Sequence, residues 1–583
     1  MKRFGKQVLA IAMALALILS MGTFVYATST TTATMYGLTM QFGDPNYDAT
    51  PPESNMRFTA NSTGFAVSYE NGISNYYPDR LAFYVTAGQD TITDMTGSGI
   101  TIQPSTTDND GNIVPSNSWT TGFYILYINT ATSGTKTLTI SVGDDDVVLT
   151  FTVPTLTSSS GSFIDAYLPA PGQFTNEGIT VGGWGDAYDA NGNLKGNSAT
   201  GVCLGYFGGY VVFDMGPILR GDNNVYQSGG IYNSSVTPYG TDFILFGNAF
   251  WGNSEPGCVQ VSQNGSDWYD IAGNLYYSSN SVAASIIYTN PDPAADALIT
   301  TVANNSGTRA AVSYTGTNLT GNQVATNTFH NHAWFPLNVN YFSARNNHAE
   351  LSHADDTNLP FVSRTTNQSG ITTTLTLTGQ RLNTKATADL QFGYVDVHPY
   401  LTLGGTVSYN PYTPNTSTST WSTISSGTSG GDPIDISWAV TSSGAPAKLD
   451  AIRYIRVYTG NEMDNPPFGE VSTEVCGISV CTGTANGDPG TPTITVTYTK
   501  NNEEKTETIT TTNGDITPVK NLGSNVASIT VSGTGYIYVN GSLITSGNSV
   551  SVTPTSGGTK VQVIVQNGTA APYITWLNLK TSL

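Results

Sequence analysis

Gly205-Tyr-Phe-Gly-Gly-Tyr-Val-Val-Phe213, Asp242-Phe-Ile-Leu-Phe-Gly-Asn-Ala-Phe250, Asp435-Ile-Ser-Trp-Ala-Val440 and Phe468-Gly-Glu-Val-Ser-Thr-Glu-Val-Cys476 decide the fold. Each is short, rich in β-branched and aromatic residues, and read as a strand of one domain. They place a few carboxylates among apolar neighbours in a chain where only 11% of residues are charged. The expected class is all-β, with a large jelly-roll-like central sandwich.

Outward from this core the same strand-and-turn spacing recurs. Gly122-Phe-Tyr-Ile-Leu-Tyr-Ile128 and the hairpin around Gly143 predict an immunoglobulin-like sandwich over 28–155. A Ser/Thr-rich linker precedes a central module at 160–484. After Pro489-Gly-Thr-Pro492, runs such as Lys560-Val-Gln-Val-Ile-Val565 predict a second immunoglobulin-like sandwich over 491–583. A length of 583 residues exceeds what one core serves, so several domains are expected.

The formal net charge of -20 argues against nucleic acid as a partner, because that contact depends on Lys and Arg releasing counterions. Lys2, Arg3 and Lys6 precede an apolar run and then Val25-Tyr-Ala27, the pattern of a signal peptide over 1–27. The alternative is a retained anchor helix. After cleavage the expectation is a secreted or cell-surface protein with no membrane insertion. Cys476 and Cys481 are near enough in sequence to suggest a small disulfide loop, and Cys203 and Cys258 suit a pair across a sheet. Buried free thiols are the alternative for all four.

In Phe468–Cys476 a strand would put Glu470, Ser472 and Glu474 on one face, suited to a cation or a polar ligand. Buried carboxylates need partners, and Arg453 and Arg456 are the nearest structural candidates for these and for Asp435. Trp251, Asn253 and Tyr206 suggest an aromatic sugar platform with Glu255 beside it, whereas Trp438 reads as core. Asp186, Asp189, Asn191 and Asn193 form an oxygen-rich turn resembling a fragment of a Ca²⁺ loop, as does Asp108–Asn112. His330 and His332, with His348 and His353 nearby, suit Zn²⁺ or Cu²⁺, or simple packing. Gly427-Thr-Ser-Gly-Gly431 lacks the strand and helix that a nucleophile elbow needs.

Gly208-Gly-Tyr-Val-Val212, Phe246-Gly-Asn-Ala-Phe250 with Glu255-Pro-Gly257, Leu377-Thr-Gly-Gln-Arg-Leu382 and Phe392-Gly-Tyr-Val-Asp396 precede the Asp435 and Phe468 segments. In this order the series, over roughly 180–480, resembles a family of secreted or surface-attached bacterial proteins. The resemblance implies an extracellular β-rich domain flanked by other surface modules, and no established reaction. Cys203 and Cys258 depart from its ordinary strand residues, and Gly265-Ser-Asp-Trp268 is shorter than its acidic, Gly-rich loop. That departure puts a Ca²⁺ site at this loop in doubt.

These readings converge on a non-enzymatic, adhesin-like binding protein for an extracellular glycan or surface protein, with Ca²⁺ as a candidate stabiliser. One alternative is a polysaccharide hydrolase using Glu470 or Glu474 with Glu255 or Asp242. The other is a structural subunit of a surface layer or filament.

Overall fold

A computed structural model of the chain describes residues 31–43, 56–70, 77–87, 92–107, 113–115, 122–156, 163–172, 202–221, 226–291, 293, 313–319, 359–367, 372–425, 430–465, 469–523 and 525–582. The signal-like segment lies outside these residues. So do Asp108–Asn112, the turn carrying Asp186, Asp189, Asn191 and Asn193, the four clustered histidines, Trp184, Trp334 and the Ser429 loop. The protein is nearly all β, as its composition predicts. It divides into two compact units: Met1–Ser158 with Pro217–Ser228, and Ser159–Gly216 with Gly229–Leu583.

The first unit is a two-sheet sandwich, six strands against five among the described residues. Strands Gly134–Val142 and Asp145–Val153 form the predicted hairpin, with a tight turn at Gly143, whose φ of 61° suits glycine. Alternation sends Leu138, Ile140, Leu149 and Phe151 inward. Phe42, on the other sheet, stacks on Phe58 at 4.9 Å and meets Phe151 edge-on at 5.8 Å, joining the two sheets through one core.

Pro217–Ser228 belongs to this unit although it follows the linker in sequence. Its Leu219–Arg220 strand sets Arg220 against Asp79, with Nε at 2.9 Å and Nη2 at 2.8 Å from Oδ2. Both residues are at least 98% buried. The Arg220 carbonyl accepts the amides of Thr130 and Ala131, and its own amide donates to Thr130 Oγ1. The sequence offered no sign of this return, because pairing across some 140 residues leaves no local periodicity.

The second unit is organised on a seven-stranded sheet. Its order is Phe163–Leu168, Tyr210–Asp214, Tyr454–Thr459, Gly257–Ser262, Tyr269–Ile271 and Ala439–Val440, with Tyr394–Val395 also against Gly257–Ser262. Tyr454–Thr459 is buried at every position, so both of its faces are covered. The C-terminal strands form a further sandwich of four- and five-stranded sheets around Val496, Ile529, Val563 and Leu577. Strand Tyr573–Leu579 is buried on both faces too. One face fills that core, and the other meets turns of the central module: Trp576 Nε1 donates to Tyr277 Oη at 2.8 Å, and from strand Tyr536–Val539 of the same sheet Tyr538 Oη donates to the Tyr412 carbonyl at 2.6 Å.

Removing one partner of a buried ion pair strands the other charge, at a cost of about 3–5 kcal/mol. Asp79→Asn is therefore expected to speed hydrogen exchange in strands Arg80–Ala87 and Gly122–Ile128 of the full chain. The double variant Asp79→Leu with Arg220→Met is expected to recover most of that loss; equal exchange in wild type and Asp79→Asn would contradict the assignment.

Candidate functional site

The Phe468–Cys476 segment does not form the continuous strand its alternation predicts. Gly469–Glu470 pairs with Asp464–Asn465, whereas Glu474–Val475 pairs with Val202–Cys203. Between them the backbone is redirected: Ser472 N donates to Glu255 Oε1 at 3.1 Å, and Thr473 N to Thr459 Oγ1. Glu470 and Glu474 therefore enter different neighbourhoods instead of sharing a face. Glu470 is fully buried near Gly172, and its charge acts on Tyr206 and Tyr288.

Glu474 joins Glu255 and Asp396, with one oxygen from each lying within 4.8 Å of the others. Asp396 ends the strand Tyr394–Val395 in a left-handed conformation at φ 63°. That conformation is uncommon for a non-glycine residue. Its carboxylate accepts the amides of Asn248 at 2.7 Å and Glu474 at 3.0 Å, and so ties three chain segments together. Glu474 Oε2 is sealed from solvent and accepts no hydrogen bond. Burial first, and then the charge of Glu255, push the carboxyls of Asp396 and Glu474 well above the ordinary range. Three acids this close hold either protons or a cation.

The set fits a hard cation. Ca²⁺ binds oxygens at about 2.3–2.6 Å, so oxygens across it stand roughly 4.6–5.2 Å apart. Among the described residues, the Lys385 ammonium interacts with Glu255 through its charge.

Asp242 and Asp435 form a second carboxyl pair. Asp242 accepts the amides of Ser234 at 2.7 Å and Ile436 at 2.8 Å. Asp435 accepts Ser437 N at 2.7 Å and caps the short 3₁₀ turn Ile436–Trp438. Arg453 and Arg456 serve neither this pair nor Glu470. Arg453 makes a bidentate contact to Asp214 at 2.7 and 2.6 Å. Arg456 lies 3.7 Å from the Phe361 ring centroid and donates to Gln260, which in turn donates to Asp270.

His398, Asp432, Tyr409 and Asn415 form a network that the sequence reading missed. Asn415 Nδ2 donates to the Leu390 carbonyl, which leaves Oδ1 facing His398 Nε2 at 3.1 Å. His398 Nδ1 faces Asp432 Oδ1 at 2.8 Å. Asp432 and Tyr409 border a small hollow whose other walls include Phe392 and Tyr394. The available signal was charge scarcity: Asp396-Val-His398 and Asp432 are polar residues set among apolar ones.

The expected aromatic platform is only partly assembled. Phe250–Asn253 is a tight turn closed by Asn253 N to the Phe250 carbonyl at 3.0 Å. Phe250 is 45% exposed, and Trp251 and Asn253 are half-buried. Trp251 rests edge-on against Trp421 at 6.1 Å. Tyr206 is fully buried, its hydroxyl donating to the Glu462 carbonyl at 2.6 Å. Trp438 lies in the core, as predicted.

The disulfide expectation is corrected: all four cysteines are free. The chain from Gly477 to Val480 is extended along Phe243–Phe246. Five extended steps separate Cys476 from Cys481 by roughly 16 Å, far beyond the roughly 4.4–6.8 Å that a disulfide spans. Cys203 instead meets Ser472 Oγ, and Cys258 meets the Gln380 carbonyl.

No protein-family model matches the chain, and no curated protein matches it.

Burial pushes all four thiols up to about 12, so the reactive thiolate is scarce at neutral pH. Alkylation of the native protein at pH 7.5 is expected to leave Cys258, Cys476 and Cys481 unmodified, while unfolding exposes four reactive thiols. A mass two units lower per bridge would show that disulfides form.

Proposed function

We propose that the chain is a non-enzymatic, exported binding protein whose central module contacts a glycan or another surface component. The observation that carries this reading is a contrast within one short stretch of chain. At Phe250–Asn253 the exposed Phe250 ring stands beside a half-buried indole and amide that nothing in the core requires there, whereas five residues further from Phe250 the Glu255 carboxylate is engaged by the Ser472 amide beside the buried Asp396. The open Phe250 ring offers a stacking face for a sugar, and the neighbouring Trp251 indole and Asn253 amide supply the polar groups. The extracellular setting rests on the signal-like N-terminus read from the sequence.

Within this proposal Glu255, Asp396 and Glu474 hold a divalent cation, Ca²⁺ by the chemistry of the all-oxygen set. The ion would relieve the mutual repulsion of the acids and brace the base of the Phe250 turn. The hydrolase alternative draws on the same closeness of Glu255 to Glu474. A retaining glycosidase needs carboxyls about 5–5.5 Å apart with sugar between them. The sealed Glu474 Oε2 argues against that use.

The test is a glycan array probed with the full mature chain, with and without Ca²⁺. Binding is expected to weaken at least tenfold in Phe250→Ala with Trp251→Ala. Ca²⁺ is expected to raise the Tm of the wild type and not that of Glu474→Gln. Silence on the array under both conditions would refute the glycan reading, and release of reducing sugar from a polysaccharide would replace it with the hydrolase.

A further inference from the structure

Asp242 and Asp435 are 2% and 1% exposed, and the hydrogen bonds around them are unequal. Both oxygens of Asp242 accept backbone amides. Asp435 Oδ1 accepts Ser437 N, but Oδ2 is buried with no hydrogen-bond partner. A fully ionised pair would therefore confine two negative charges in one sealed place, with one oxygen lacking any donor. A proton on Asp435 removes that repulsion.

Beside Oδ2 the chain at Gly240 meets Ala571 and Pro572 of the C-terminal sandwich. Gly240, at φ 73°, lies so close that a Cβ built on it would stand 2.9 Å from Asp435 Oδ2 and 2.8 Å from Pro572 Cδ. The same turn is held by Tyr239 N donating to the Thr569 carbonyl at 2.9 Å. Thr569 Oγ1 in turn bonds the backbone of Asn486 at 3.1 Å in both directions. The Thr569–Pro572 turn thus packs on Gly240, the residue that lies against Asp435 Oδ2.

We propose that Asp242 and Asp435 are a proton-operated latch: with one proton on the pair the Thr569–Pro572 turn stays closed over Gly240, and loss of that proton opens it to water. The titratable groups facing the pair are the Cys481 thiol and the Tyr412 phenol, and Tyr239 belongs to the contacting turn. The covering segment Thr569–Pro572 contributes no titratable side chain. Cys481 is pushed up to about 12 and Tyr412 well above its usual value, so both stay neutral across the working range. Burial raises both carboxyls, Asp435 to about 7.

An acid whose affinity for its proton is raised in the closed state favours closure at low pH. The closed-to-open ratio then falls roughly tenfold per pH unit from the ordinary value near ~3.9 up to about 7, and levels off above it.

The test is hydrogen exchange across Gln566–Tyr573 in the full mature chain between pH 5 and 8, corrected for intrinsic base catalysis. In the wild type, opening is expected to increase at least tenfold between pH 5 and 7 and then level off. Asp435→Asn, which carries no charge at any pH, is expected to remove that increase. Infrared difference spectra between pH 5 and 8 should show one protonated carboxyl band lost from the wild type alone. Parallel pH profiles in wild type and variant, or a spectrum with no such band, would overturn the latch.

Discussion

Arg456 stands at the centre of a strand covered on both faces, and the second unit is arranged to make that tolerable. A buried guanidinium with no partner is prohibitively costly. Here one nitrogen donates to Gln260 Oε1 at 2.7 Å and another to the Thr378 carbonyl at 3.1 Å, while Phe361 and Tyr458 present ring faces to the cation. Gln260 passes the interaction to Asp270 at 2.7 Å, so the countercharge is reached through a neutral amide. This arrangement requires strands Gly257–Ser262 and Tyr454–Thr459 in register, because Gln260 is the residue directly opposite Arg456. A shift by one residue would turn the guanidinium to the opposite face.

The same scarcity of charge governs the acids. Asp242, Asp396 and Asp432 are all held by backbone amides, and Asp396 and Asp242 each join segments far apart in sequence. A carboxylate with two acceptor oxygens can satisfy two chain ends in loops that lack a ladder of their own. Much of the polar chemistry that looked functional in the sequence therefore carries structural work. The Glu255 cluster differs, because its members crowd one another and leave Glu474 Oε2 without a donor.

What was legible in the sequence follows from locality. The hairpin over Gly134–Val153 and the all-β class depend on period-two alternation and on Gly143, which neighbouring residues reveal. Trp438 is core as read, but Asp435–Val440 is not the strand expected of it: Asp435 caps a 3₁₀ turn over Ile436–Trp438, and only Ala439–Val440 is extended. Illegible were the pairings that join distant segments: Arg220 with Asp79, Asp396 with Glu474, and Arg453 with Asp214. Phe468–Cys476 shows why. Its alternation is that of a strand, but backbone bonds to Glu255 and Thr459, hundreds of residues or a single loop away, break it in the middle.

The C-terminal sandwich carries a subtler signal. A freely projecting sandwich alternates apolar and polar residues, since one face of each sheet meets water. Glu503–Ile509 follows that solvated logic, exposed along nearly its whole length and charged at its edge. Val561–Gln566 and Tyr573–Leu579 do not: Val563 and Leu577 enter the sandwich core while Ile564, Gln566 and Trp576 are buried on the opposite face. Those second faces hold the bonds from Asn410 to Gln566 and from Trp576 to Tyr277. Amides and an indole N–H on an otherwise apolar face are what a sheet needs when it packs against loops, whose backbone and hydroxyl groups must be answered. A strand apolar on both sides, with Gln or Trp on the side away from its own core, is thus the local mark of a sheet docked on its neighbour.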